Sequence, residues 1–278
     1  MNSVVFKAAI KKIQINRLKN ESLTFIGLFF YGIFFLGQEK KAICKEIVDK
    51  LHPVVYPNGM IRVGSQGDGG YVIPSDGLSV DALFSPGVGD NSDFELVFAE
   101  QGMPCFLADY SVDGPAKHHE HFHFTKRFLS DRNSDNTITM NEWLSNSNIQ
   151  GDNLFLSMDI EGAEFGILEE MPETILRRFR FITLELHDLS RVRSLKGLVQ
   201  VHSLLNQITK SHKVVHIHGN NFSFYFKMKK SRLANVLELT LARNDSFGGV
   251  FQRSPKGQYK SPLDLPNDSH SKDFILEI

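Results

Sequence analysis

The 278-residue chain sets 31 Lys and Arg against 32 Asp and Glu, a formal net charge of −1 at pH 7, so no overall field draws in nucleic acid. Its two cysteines, Cys44 and Cys105, form neither a CxxC pair nor a secreted-type framework. A nucleic-acid partner, a disulfide scaffold and a Cys-ligated zinc site are set aside, and a reducing, cytoplasmic setting is expected.

Residues 1–58 read as an N-terminal helical extension. Within it, "SLTFIGLFFYGIFFLG" (22–37) is uncharged and follows Lys7, Lys11, Lys12, Arg17 and Lys19. It is shorter than the ~20 apolar residues that normally span a bilayer. An interfacial or short membrane helix at the cytoplasmic face of a membrane is one reading. A helix packed on the protein or on a second subunit, as in a homo-oligomer, is the other. Residues 40–58 continue as helix until Pro53 ends the pattern.

A domain over 59–253 follows, then a tail over 254–278 that reads as coil ending in a short apolar stretch. "RVGSQGDGGYVIP" (62–74) has the composition of a turn between two short strands. From Asp81 onward, apolar runs alternate with helical patterns. "DALFSPGVGD", "MPCFLADYS", "FHFTKRF", "NLFLSMDI" and "FRFITLELHDL" read as strands; "NSDFELVFAEQG", "AEFGILEEM" and "SLKGLVQVHSLLNQITKS" read as helices. "KVVHIHGNN" and "VLELTLAR" form a last pair of strands. The alternation predicts an α/β fold with a parallel sheet and crossover helices. Ser92 with Glu95 three positions later predicts a capping box at the helix that the glycine turn feeds.

Chemistry enters at the strand ends. Gly87 and Gly89 in "FSPGVGDNSDFE" let backbone approach a ligand, and the following helix offers unpaired N–H groups. Asp109 ends the next strand about 20 residues after the glycines, where an acid can accept from both hydroxyls of a ribose. Together they favour an adenosine-containing cofactor.

"LFSPGVGDNSDFE", "CFLADYS", "LFLSMDIEGAE" and "FITLELHDL", in this order and spacing, resemble the FkbM-type S-adenosylmethionine (SAM)-dependent methyltransferases. "RVGSQGDGGYVIP", "VVHIHGNN" and "LELT" resemble a subgroup of that family. The resemblance covers roughly residues 60–243, and most of its specificity lies in "DIEGAE" and in the ordered set. It implies a Rossmann-like, mostly parallel sheet of seven strands with an antiparallel last strand and helices on both faces. It also implies SAM over the carboxyl ends of the first strands, with Gly87 and Gly89 facing its methionine part and Asp109 its ribose. Many SAM enzymes place an acid at the start of the glycine motif and a third glycine at its end; here Ser85 and Asn91 stand there, with Asp90 as a stand-in for the acid. The subgroup resemblance adds Asp68 and Tyr71 as residues that close the cofactor or acceptor site, and Arg62 after them.

In "LFLSMDIEGAEFGILEEMP" an apolar strand delivers Asp159 to the carboxyl edge of the sheet, where open α/β sheets bind ligands. Glu164 is expected to serve the N-terminus of its helix, and Glu161 is undecided. Glu185 and His187 share one face by alternation. His187 is the expected general base for a hydroxyl acceptor, with Asp159 or Glu185 orienting it or holding a metal. His216 and His218 could join a divalent site, although metal-free chemistry is the expectation; "HHEHFH" (118–123) reads as a polar connection. The function that follows is SAM-dependent O-methylation of a hydroxyl on a sugar, glycan or other small molecule. A nucleotide-dependent oxidoreductase of NAD type and a non-catalytic membrane-tethered Rossmann module are the alternatives.

Overall fold

Apolar runs bounded by glycines and prolines assemble into a central sheet. The computed structural model describes residues 37–278, and the unit Cys44–Ile278 holds every feature discussed below. Apart from Gly37, the apolar segment 22–37 lies outside the described residues. No helix among the described residues is long and apolar enough to cross a membrane.

A hairpin of β1 (Met60–Gly64) and β2 (Gly70–Pro74) comes first. Next are β3 (Ala82–Pro86), the helix Asp93–Glu100, β4 (Cys105–Ala108) and β5 (Phe122–Thr125). Two short strands, β6 (Phe128–Leu129) and β7 (Thr137–Ile138), lead to the helix Met140–Asn146 and β8 (Leu154–Met158). Helices Glu164–Glu170 and Glu173–Leu176, β9 (Phe179–Leu186) and the helix Leu195–Ile208 follow. The chain then forms β10 (His212–Gly219), β11 (Tyr225–Met228), β12 (Ser231–Ala234), β13 (Leu237–Arg243), β14 (Gln258–Tyr259) and β15 (Leu276–Glu277).

Seven strands form the central sheet in the order β10-β13-β9-β8-β3-β4-β5. β13, the last of them in the chain, runs antiparallel to both of its neighbours, and the other pairs are parallel. This is the Rossmann-like methyltransferase arrangement expected from the sequence. The chain leaves β3 toward β4 and β5, then returns to β8 on its other side. The carboxyl ends of β3 and β8 therefore flank a topological switch point, where such sheets open a crevice for ligands.

One face of the sheet is graded along the strands. Phe155 of β8 pairs with Leu83 and Phe181, Ser157 pairs with Thr183, and Thr183 pairs with Thr240. One step further on, Glu185 pairs with Glu238, and Glu238 with His218. The face thus runs from apolar through hydroxyl to ionisable as it nears the carboxyl edge. The β1–β2 hairpin covers this face, the Thr240 hydroxyl donating to the Val72 carbonyl at 2.6 Å.

Two segments depart from the sequence reading. Residues 222–235, assigned to no element from the sequence, contain the hairpin β11–β12. The tail from Ser254 carries β14 and β15, and β15 pairs with β12. Two-residue strands set by distant partners leave no periodic pattern in a stretch rich in Pro, Asp, Ser and Lys.

In the apolar half of the graded face, Phe155 is fully buried against Phe94, Phe98 and Phe181, with ring centroids 5.9, 5.1 and 6.0 Å away. Phe155→Ala should cost about 3–5 kcal/mol through lost burial and the cavity left behind. A denaturation midpoint that falls at unchanged slope would match, and a loss below about 1 kcal/mol would show that this packing is not central.

Candidate functional site

The crevice is shaped first by backbone. Gly87 sits at φ 85°, where a Cβ would lie 1.6 Å from the Asp159 carbonyl oxygen, so only glycine lets β3 and β8 approach this closely. Gly89, at φ 52°, turns the chain back, and its N–H donates to Asp109 Oδ2 at 3.0 Å. The Ser111 amide and hydroxyl both donate to Asp109 Oδ1. A carboxylate has about four acceptor positions, so Asp109 pins the glycine turn and keeps one for a ligand.

A cavity of about 680 Å³ opens over this turn. Ser85, Gly87, Gly89, Asp90, Asp109 and Asp68, the residues expected around a cofactor, all line it, as do Tyr71 and Asp159. Asn91 fills the place of the absent third glycine without adopting left-handed backbone. Its side chain accepts from the Asp93 N–H and donates to the Asp68 carbonyl, joining the glycine turn to the β1–β2 turn.

The expected capping box does not form. Ser92 stands at the helix N-cap without a side-chain cap bond, and its hydroxyl instead accepts from the Lys117 N–H at 2.9 Å. Glu95 turns inward, where its carboxylate accepts from the Ser85 hydroxyl at 2.5 Å. Burial raises the Glu95 carboxyl to about 7, against the lowering effect of that hydrogen bond. Glu95 thus places a carboxylate from the next helix beside Ser85, where the sequence reading offers Asp90 as a stand-in. Asp90 lines the same cavity.

At the far side of the crevice, the strand-end carboxylates separate into different tasks. Asp159 follows β8 directly. Glu161 adopts left-handed backbone at φ 54° and is exposed on the turn. Glu164 is fully buried; its Oε1 accepts from the Ile160 and Gly162 amides at 3.3 and 3.1 Å and meets His187 Nδ1 at 3.0 Å. Glu164 therefore steadies the turn into its helix and also holds His187.

That contact corrects the expectation that Asp159 or Glu185 orients His187. β9 ends at Leu186, and the chain then turns through left-handed Asp188, so strand alternation no longer governs His187. The side chain of Glu185 instead accepts from Asn220 Nδ2 at 2.5 Å, and only the Glu185 backbone carbonyl approaches the imidazole. Burial opposes charge on His187, but the Glu164 hydrogen bond and the charges of Glu164, Asp159 and Glu161 outweigh it and raise the imidazole above its ordinary value. Burial raises both Asp159 and Glu185, and the closeness of other carboxylates adds to it.

Glu185, Glu238 and His218 continue the charged row under the β1–β2 turn. His218 lies between Glu238 and Asp273, 2.9 Å from each, and these bonds overcome burial to raise it to about 10. His216 meets Asp264 at 2.7 Å. Both imidazoles thus have carboxylate partners, two of them from the tail, and Asn267 bridges Asp68 and Glu238. The sequence reading did not find Glu95, Glu238, Asn220 or Asn267 as site residues. Glu238 alone left a signal, the alternation of "VLELTLAR" beside "FITLELHDL".

The Methyltransferase FkbM domain model matches residues 78–237, from just before β3 to the start of β13. The chain belongs to the FkbM methyltransferase family. A comparison with curated proteins finds no match. In this FkbM methyltransferase the matched region contains both walls of the crevice, while Asp68, Glu238 and the tail lie outside it.

Gly87→Ala forces a Cβ into the Asp159 carbonyl and should separate β3 from β8. A loss above about 3 kcal/mol is expected from backbone strain and the broken approach. Chemical denaturation checks this, and a variant of native stability would contradict the described approach of the two strands.

Proposed function

We propose that this methyltransferase uses SAM to methylate a hydroxyl on a sugar, glycan or other small molecule. The observation that carries the reading is the charge of the cavity wall. Asp68, Asp90, Glu95, Asp109, Asp159 and Glu161 line it, and among the described residues no Lys, Arg or His does. Such a wall attracts a ligand bearing an ammonium and a sulfonium. It repels the pyrophosphate of a dinucleotide, which argues against the NAD-type alternative. The residues present fit SAM. The left-handed glycine turn leaves room for backbone contact, Asp109 keeps an acceptor position toward a ribose, and Glu95 offers a buried carboxylate to an ammonium.

Bound there, SAM supplies an electrophilic methyl group. The chain's own contribution is alignment and proton handling. The switch-point crevice holds the two reactants at one strand edge, which replaces a bimolecular encounter by a fixed approach. The acceptor proton leaves toward Asp159, which lines the cavity and lies 3.9 Å from His187 Nε2.

Calorimetric titration with SAM and with NAD tests the reading: SAM should bind and NAD should not. NAD binding without SAM would overturn it, and binding of neither would favour the non-catalytic module. Glu95 adds a pH signature. Its folded-state carboxyl is raised to about 7, so it is charged above that pH and neutral below it. SAM affinity should therefore fall as pH drops from 8 to 6, by up to about tenfold per unit below 7. Glu95→Gln should weaken binding at pH 8 and remove this dependence. An equally steep dependence in the variant would show that Glu95 does not hold the cation.

A further inference from the structure

The cluster beyond the cavity contains more bare lone pairs than donors. Glu164 Oε1 already accepts two backbone amides, so it faces His187 as an acceptor and places the imidazole proton on Nδ1. In the neutral imidazole, the form that binds a metal, His187 Nε2 then carries the lone pair. It lies 3.4 Å from Glu161 Oε2 and 3.9 Å from Asp159 Oδ1, two further acceptors. Asp159 Oδ1 is buried with no hydrogen-bond partner, and so is the second oxygen of the fully buried Glu164. Asp159, Glu164 and His187 each bring a ligand atom within 4.8 Å of the others.

We propose that a divalent first-row cation binds here, held by His187 Nε2 and the carboxylates of Asp159 and Glu161, with Glu164 fixing the imidazole from behind. The distances to His187 Nε2, 3.4 Å from Glu161 Oε2 and 3.9 Å from Asp159 Oδ1, compare with about 3.4 Å between ligand atoms held by bonds of about 2.1 Å at tetrahedral angles, and Glu161, on its exposed turn, is free to close on the ion. A buried carboxylate that receives Nδ1–H and leaves Nε2 for the ion is the recurring outer-shell arrangement of metal-bound histidine. One nitrogen with carboxylate oxygens suits Mn²⁺ or Zn²⁺ better than a thiolate-seeking ion.

Asp159 and Glu161 also line the cavity, so the ion would face whatever occupies it. A hydroxyl coordinated to the ion loses its proton more readily: the O–H bond breaks, the electron pair stays on oxygen, and the proton passes to water. His187 then acts as a ligand rather than as the proton acceptor. This consequence rests on the methyltransferase reading, whereas ion binding itself does not.

Electron paramagnetic resonance of Mn²⁺ added to the full chain, without SAM or acceptor, tests the proposal. One Mn²⁺ per chain should bind and be displaced by Zn²⁺. Asp159→Asn and His187→Gln should each weaken binding at least tenfold, and Glu164→Gln about 10- to 100-fold. Glu173→Gln, at an exposed carboxylate outside the cavity, should leave it unchanged. If Glu164→Gln fails to fold, the strand-end variant Asp159→Asn still decides the matter. No stoichiometric Mn²⁺ at 1 mM (roughly −4 kcal/mol), or native affinity in both Asp159→Asn and His187→Gln, would overturn the proposal. Mn²⁺ bound without any SAM binding would sink the cofactor reading alone, and SAM bound without Mn²⁺ would sink only the ion.

Discussion

The register of three adjacent strands places Glu185, Glu238 and His218 in one line across the carboxyl edge of the sheet, with Asp159 following the end of the neighbouring β8, and the rest of the site depends on that line. Strand pairing alone fixes it: Glu185 stands opposite Glu238, and Glu238 opposite His218. A one-residue slip of β9 would turn Glu185 to the opposite face and bring an apolar neighbour into the row. The apolar half of the same face resists such a slip, because Phe155, Phe181 and Leu83 would then lose their shared burial. The core at one end of the strands thus holds the ionisable groups at the other.

Buried carboxylates repel one another, and the fold answers that in two ways. Away from the cavity it supplies donors: Asn220 to Glu185, Asn267 to Asp68 and Glu238, and His218 between Glu238 and Asp273. Facing the cavity it supplies few, so Glu95 keeps a raised carboxyl and Asp159 an oxygen without a partner. That asymmetry turns one end of the row into stable structure and leaves the other able to attract a cationic ligand. The tail participates in the first task, through Asp264, Asn267 and Asp273.

Much of this was legible in the sequence because strand ends are local features. Asp109 and Asp159 each follow an apolar run, and Gly87 and Gly89 lie where a turn must form, so their positions needed no knowledge of the fold. Glu95 was misread because the Ser92–Glu95 spacing also fits a cap, and only the burial of Ser85 beside it favours the inward rotamer. Glu164 was read for its helix, and its hold on His187 depends on how the chain leaves β9. Asn267 meets Glu238 across 29 positions and Asp68 across 199, and side-chain contacts at that range leave no spacing to read.

In the proposed function the carboxylate-lined crevice between β3 and β8 receives a methyl donor. A crystal structure with S-adenosylhomocysteine tests it most directly. The ribose hydroxyls should reach Asp109, the amino group should approach Glu95, and the sulfur should point toward Asp159. Ligand density outside this crevice, or a ribose turned away from Asp109, would contradict it.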